Sequence, residues 1–359
     1  RMTHSHSRNI GQSVSRLLIT MGDPAGIGPE IICKALAGKE LDVSSRYGVI
    51  GLVDVLSSTA EKMGKQVRFR FVATPEEMFL PAGNEIPVLE PDGLEVGHWE
   101  PGIAQAATGE IAFRCITRAI QMALAGQCDA VVTAPICKES LHKAGHGEYA
   151  GHTEIFTRLT GAKSTALMLI SGKFRVAHVT NHVALRETCG MVKRQRVFDV
   201  IRLTNDALAR IDGKPPRIAV ASYNPHAGES GLFGHEEIEE IEPAVQEAQR
   251  AGIQVSGPFP PDSLFPQMLG GRYEGIVAMY HDQGHIAFKM HCFRYRSDLQ
   301  EWGEVAGVNV TLGLPIIRTS VAHGTAFDLV GTGKASERSL LDAIEVARLL
   351  AEKQGREAE

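Results

Sequence analysis

Residues 16–31 read RLLITMGDPAGIGPEI: the apolar run Leu17-Leu18-Ile19 gives way at Gly22 to three glycines and two prolines, then to a helix-like segment. A β-rich run, a glycine turn and a helix in succession form the unit from which α/β sheets are built. The same alternation continues along the chain. Further β-rich runs fall at 47–53, 67–72, 129–134, 165–170, 174–179, 217–222 and 275–280, with amphipathic stretches between them. In 109–125, Ile111, Cys115, Ile116, Ala119, Ile120 and Ala123 recur at helical spacing, as do Leu340, Leu341, Ile344, Ala347 and Leu350 in 336–352. The expected class is therefore α/β with a largely parallel sheet. Pro- and Gly-rich stretches at 81–83, 91–102, 213–216 and 257–261 read as loops.

The turn itself matches neither common nucleotide loop. Pro29 directly follows the last glycine, which breaks G-x-G-x-x-G, and no lysine completes a phosphate loop. Pro29 suits the first turn of a helix, where its missing N–H costs little, and Glu30 suits the positive helix end. Gly26 and Gly28 then serve close backbone approach. A plain strand-to-helix turn carries about equal weight, but Asp23, a carboxylate between glycines near a strand end, is a candidate for ligand or metal.

The 359 residues are enough for two domains and a well-buried core. A net charge of −5 argues against a general polyanion binder, so no nucleic-acid partner is expected. No apolar stretch approaches the roughly 18 residues that span a bilayer. The first sixteen residues are polar and lack the apolar centre of a signal peptide, so a cytoplasmic location is expected. The six cysteines are scattered without a C-x-x-C pair, as for packed, reduced thiols.

Three histidines closely follow predicted strands: His182 after FRVAHVT, His226 after RIAVASYNP, and His281 after GIVAMY. Imidazoles raised on separate loops at one end of a sheet can converge on a divalent ion and leave positions open for substrate. Asp282 and Asp262 are candidates to orient those imidazoles. His4, His6, His98, His142 and His235 lack this context and read as surface residues. His152-Thr153-Glu154 opens a helical stretch after a glycine-rich loop, which fits either a phosphate or carboxylate site or an N-cap at Thr153. Lys289 lies eight residues beyond His281 as a candidate cation or proton relay. Asn309 and Arg318 flank the run VNVTLGLPIIR, and an arginine after such a run often meets an oxyanion.

Taken in order, MGDPAGIGPEI, GHTE, NPHAGE, MYHDQG and GVNVTLGLPIIRTSV-HGTA resemble the 4-hydroxythreonine-4-phosphate dehydrogenase (PdxA) family, over about residues 17 to 350. The resemblance implies an isocitrate/isopropylmalate dehydrogenase-like fold of two α/β domains with a cleft between them. A discontinuous cofactor-side domain would take 17–140 plus 305–359, and a central substrate, metal and dimerisation domain 141–304. It also implies a homodimer with shared active sites, NAD (NADP as the alternative), and a divalent ion: zinc, magnesium, cobalt or manganese. Carried over by residue, His182, His226 and His281 match the metal ligands, and His152, Thr153, Lys289, Asn309 and Arg318 match substrate positions. The segment HGTAFDLVGTGKA (323–335) is similar to the adenosine-contacting loop of isopropylmalate dehydrogenase-like enzymes, which places His323, Gly324, Thr325 and Asp328 with Asp23, Gly26 and Gly28 as cofactor candidates. Lys289, Asp282 and Asp262 form the candidate catalytic set.

Three departures bear on substrate. Ala322 stands where the family usually has Asp, and a longer stretch separates Lys289 from Asn309. HDQGHIAFK looks closer to the branch acting on 4-phospho-D-threonate or 4-phospho-D-erythronate than to the pyridoxine-pathway pattern. Oxidation of the hydroxyl β to the carboxylate, followed by loss of CO2, would then give dihydroxyacetone phosphate. The alternatives are 4-hydroxythreonine-4-phosphate or a dihydrodiol dicarboxylate as substrate. Rivals from other classes are an NAD-independent histidine-metal hydrolase or aldolase, and a sugar-phosphate sensor without turnover.

Overall fold

A computed structural model describes residues 14–38, 41–42, 45–81, 83–94, 96–298 and 301–352. His4, His6 and the C-terminal end of the expected cofactor-side range lie outside the described residues. The strands are β1 (Arg16–Thr20), β2 (Arg46–Ile50), β3 (Arg68–Val72), β4 (Glu85–Leu89), β5 (Ala130–Thr133), β6 (Ala166–Ser171) and β7 (Phe174–His178). They continue with β8 (Ile218–Ala221), β9 (Val255–Phe259), β10 (Gly275–Ala278), β11 (Phe293–Arg296), β12 (Glu301–Val305), β13 (Val308–Leu312) and β14 (Arg318–Val321). The helices are α1 (Gly28–Ala37), α2 (Val53–Lys62), α3 (Ala106–Leu124), α4 (Lys138–Lys143), α5 (His152–Thr160) and α6 (Leu185–Met191). After them come α7 (Arg194–Asp212), α8 (Glu242–Arg250), α9 (Pro261–Leu269), α10 (His281–Cys292) and α11 (Arg338–Glu352).

Twelve strands form one sheet in the order β3-β4-β2-β1-β5-β14-β13-β6-β7-β10-β8-β9, while β11 and β12 pair as a separate hairpin. Apolar runs dominate β1, β5 and β10, as in strands covered on both faces, whereas the central β14 (Arg318-Thr319-Ser320-Val321) is mostly polar and buried. Leu17, Leu18, Ile19, Val131, Val132, Ile276 and Val277 are fully buried. Eight pairings are parallel, but β14–β13, β13–β6 and β6–β7 are antiparallel. Three reversals in a row leave β7, β10 and β8 running opposite to β14, β5 and β1. The carboxyl ends of the two parallel halves therefore face opposite edges, and the β13–β14 hairpin forms the seam between them.

Every expected strand is present, but β4, β9, β11, β12, β13 and β14 lie outside the expected runs. The region 257–261 is not wholly loop, because β9 runs through Gly257 and Pro258 to Phe259. Pro87 lies in β4 in the same way. Both strands lie towards the margins of the sheet, where a missing ladder donor is tolerated. The opening turn is fixed by contact: a Cβ on Gly28 would lie 2.2 Å from Met21 O, and Gly22 takes φ +75°. Four of the six thiols are buried and none forms a disulfide. No helix among the described residues is long and apolar enough to cross a membrane.

Candidate active site

Over the seam lies a cavity of about 350 Å³, to which both halves of the sheet contribute. Pro135 and Ile136 follow β5, His182 follows β7, and His281, His285 and Lys289 come from α10. Asn309 and Arg318 stand on β13 and β14, where Asn309 is directly opposite Ser320 in the ladder. His152, Thr153 and Glu154 open α5 on the cavity wall. The N-cap of that helix is Gly151, without a side-chain cap bond, so the capping role considered for Thr153 is not the one observed.

Arg318 is buried and bonds only hydroxyls: its Nη1 donates to Thr311 Oγ1 at 2.8 Å and its Nη2 to Thr133 Oγ1 at 2.9 Å. The guanidinium lies 5.4 Å from the centroid of Phe156, and burial pulls its pKa down to about 9. Among the described residues no carboxylate forms an ion pair with it; Glu154 acts on it only through the field. Buried charges are normally paired, whereas this one has only hydroxyl hydrogen-bond partners among the described residues. His152 Nε2 and Asn309 Oδ1 are sealed from solvent in the same wall, without hydrogen-bond partners among the described residues.

Four imidazoles stack from the sheet outward. His178 is fully buried at the end of β7, its ring 4.7 Å from that of His285; His285 lies 3.6 Å from His281, and His281 lies 5.4 Å from His182. Their tautomers follow from their partners. His178 Nδ1 meets Leu167 O at 3.2 Å and His285 Nδ1 meets His281 O at 3.0 Å; a carbonyl only accepts, so each Nδ1 carries the proton. His281 Nδ1 meets Asp282 Oδ1 at 2.7 Å, with the same consequence. Each Nε2 is left with a lone pair, the form in which imidazole binds a divalent ion. Burial, reinforced by neighbouring groups, lowers His178 to about 3 and His285 to about 4 and also lowers His182. The donor chemistry fits a divalent ion, yet no three ligating side chains among the described residues are arranged to hold one within one chain.

His226 does not line this cavity. It is exposed, with Phe233 as its ring neighbour at 6.4 Å, in a turn where residues 226–230 all have positive φ. Four of those five are not glycine, a strain of roughly 1–2 kcal/mol per residue. Glu237 holds the turn, accepting from the backbone N–H groups of Tyr223 and Asn224, each at 2.7 Å.

The cofactor candidates separate. His323 and Gly324 line the cavity, whereas Gly26 lines a second cavity of about 800 Å³ between α1, α2 and residues 330–333. Asp23 reaches neither. Its carboxylate is fully buried, accepts the N–H of Ala25 at 2.9 Å and the Thr108 hydroxyl at 3.4 Å, and so braces the turn from within. Gly28 is buried against Met21, Thr325 packs on Gly26, and Asp328 lies in the 3-10 turn Phe327–Leu329 away from both cavities. Asp262 is exposed and bonds the N–H of Ser263, away from the imidazoles. His98, His142 and His235 are exposed as expected. His178 and His285 were missed by sequence reasoning. The i, i+4 spacing of His281 and His285 in HDQGH was the available signal for one; His178, within a strand, offered none.

The family model of the pyridoxal phosphate biosynthetic protein PdxA matches residues 44–347. D-threonate 4-phosphate dehydrogenase of Pectobacterium atrosepticum is 44% identical over 340 residues, covering 93% of this chain and 99% of that one. The enzyme of the same name from Salmonella typhimurium is 44% identical over 338 residues, covering 93% and 98%. The crystal structure of 4-hydroxythreonine-4-phosphate dehydrogenase from Klebsiella pneumoniae superposes with a TM-score of 0.80 at 42% identity, covering 94% of this chain and 98% of that one. With the family model spanning most of its length and relatives this similar end to end, the chain belongs to the PdxA family.

Proposed function

We propose that the protein is an NAD-dependent, divalent-metal-dependent dehydrogenase that oxidatively decarboxylates 4-phospho-D-threonate or 4-phospho-D-erythronate to dihydroxyacetone phosphate and CO2. The observation that carries this reading is Arg318, a buried cation without a carboxylate partner, facing imidazoles that hold lone pairs. A small, multiply anionic, metal-chelating substrate answers both features. The relatives named above are dehydrogenases of phosphorylated four-carbon acids.

When bound, the divalent ion would acidify the substrate hydroxyl and steady the enolate left by CO2, and NAD would take the hydride. His182 and His281 are the ligands offered from one chain, and Asp282 fixes the tautomer of His281. His226, exposed on its strained turn, is proposed to serve the site of a second subunit, which is the shared-site homodimer the family resemblance implies. Arg318, His152 and Thr153 hold the phosphate or carboxylate and keep the substrate in register. Asn309 Oδ1 accepts from a substrate hydroxyl. Lys289, exposed at the cavity mouth, is positioned to return a proton to the carbon that loses CO2. The two-domain division, with the seam as the cleft floor, stands as part of this proposal.

The second reading is 4-hydroxythreonine-4-phosphate, which replaces a hydroxyl by an ammonium group. The lining disfavours it, since among the described residues Glu154 is the one lining carboxylate, against Lys138, Lys289 and Arg318. Side-by-side kcat/KM values for the two acids test this: the hydroxy acid is expected to exceed the amino acid at least tenfold. A preference for the amino acid would move the protein to the second reading.

A further inference from the structure

The second cavity, about 800 Å³, contains a buried group with nothing to bond to. Glu30 is 6% exposed in the first turn of α1, and one carboxylate oxygen accepts the N–H of Gly331. The other, Oε2, is sealed from solvent and has no partner among the described residues. A carboxylate oxygen in that state needs a donor, and the cavity it lines is where one can arrive. Trp99 and Pro24 give the same cavity flat apolar walls, and Lys62 and Lys65 give it a cationic margin.

The loop at 323–335 connects this cavity to the first. His323 and Gly324 line the cavity of imidazoles, whereas Val330, Gly331 and Gly333 line the second. Between them the loop is fastened to the opening turn: Ile27 N–H donates to Thr325 O at 3.0 Å, and a Cβ on Gly26 would lie 2.9 Å from Thr325 Cβ. Lys34 Nζ ties down its far end, donating to Gly333 O at 2.7 Å and to Ala335 O. A single ligand lying along this loop would touch both cavities, as a dinucleotide must.

We propose that Glu30 determines cofactor choice: its free oxygen accepts the hydroxyls of the adenosine ribose, selecting NAD and rejecting NADP. The inference rests on the nicotinamide reading above. A ribose 2′-hydroxyl donates to a carboxylate, whereas a 2′-phosphate brings only acceptors and like charge to it. Glu30→Gln is the informative change. The amide oxygen still accepts from Gly331, while its NH2 group puts a donor where the free oxygen was.

The test uses full-length protein carrying Trp302→Phe, which leaves Trp99 as the only tryptophan of the two in the chain. NADH is titrated and energy transfer from Trp99 is recorded, with and without competing AMP or adenosine 2′,5′-bisphosphate; NAD and NADP turnover are measured in parallel. The expected results are transfer to NADH, displacement by AMP, about 100-fold weaker displacement by the 2′-phosphate, and an NAD/NADP ratio of kcat/KM that falls at least about tenfold in Glu30→Gln, as expected for loss of a charge-assisted contact. Equal displacement by the two nucleotides in the unmutated Glu30 background overturns the inference even if the variant fails to fold. Transfer from Trp99 with an unchanged ratio also overturns it and leaves the dehydrogenase reading standing. Substrate cleavage without any nicotinamide would instead remove the reading on which it rests.

Discussion

Arg318 keeps its positive charge where water does not reach it and spends its donors on the hydroxyls of Thr133 and Thr311. Isolated burial of this kind costs stability until an anion arrives. Arg318→Met is therefore expected to raise KM for the phosphorylated acid about 10–100-fold, from the loss of a charge-assisted contact, while Tm holds or rises. A KM within twofold of wild type would remove Arg318 from the substrate site. Asp282 acts one step back, through the tautomer of His281. Asp282→Ala is expected to weaken metal retention about 10–100-fold, read as bound metal after dialysis against a chelator. The place of Arg318 on the cavity wall was legible in the sequence, because a charged residue closing an apolar run stands out from its surroundings. Glu30 was read only as a helix-end charge, because nothing local says that one of its oxygens will be left without a donor.

Helix α10 carries His281, His285 and Lys289 at four-residue intervals, so all three face the cavity. Its approach to the sheet depends on Gly284, where a Cβ would lie 2.3 Å from His178 Nε2. Gln283 fastens the same turn, accepting from Met279 N–H at 2.8 Å and donating to Ser222 O at 2.8 Å. Gly284→Ala must push α10 or the His178 ring aside. A destabilisation of about 1–3 kcal/mol in urea unfolding is expected, together with weaker metal binding. An unchanged unfolding midpoint would show that the helix has more room than this packing allows. At this scale the periodic helices and apolar strands were legible, because their patterns are local. The proline-bearing β4 and β9 were not, since only their places in the sheet make those prolines tolerable. The run VNVTLGLPIIR drew attention for its polar ends, and its body is the β13–β14 hairpin.

Across the whole molecule, the antiparallel seam turns the two parallel halves of the sheet in opposite directions. The sequence pattern implied a largely parallel sheet but held no sign of the reversal, which depends on pairings between strands far apart in the chain. Stability should follow the buried imidazoles. In the fold, His178 and His285 stay neutral down to about 3 and about 4, against an ordinary value of 6.5. Above that value nothing is lost; below it the unfolded chain takes up protons that the fold refuses, so stability falls from about pH 6.5 towards pH 4. The metal-free protein is expected to melt lower at pH 5 than at pH 7.5, and His285→Gln to narrow the difference; a Tm independent of pH over that range would contradict it. If His226 serves a partner's site, His182→Ala and His226→Ala subunits are each inactive alone, but after mixing and reassociation they recover about a quarter of wild-type activity, because half of the dimers are mixed and each mixed dimer holds one intact site. No recovery would place all the ligands in one chain. The central claim is tested most directly by incubating the purified protein with 4-phospho-D-threonate, NAD and a divalent ion and quantifying NADH, CO2 and dihydroxyacetone phosphate together. Equal amounts of all three, abolished by a chelator and restored by the ion, are expected; cleavage or release of phosphate without NADH would contradict the account.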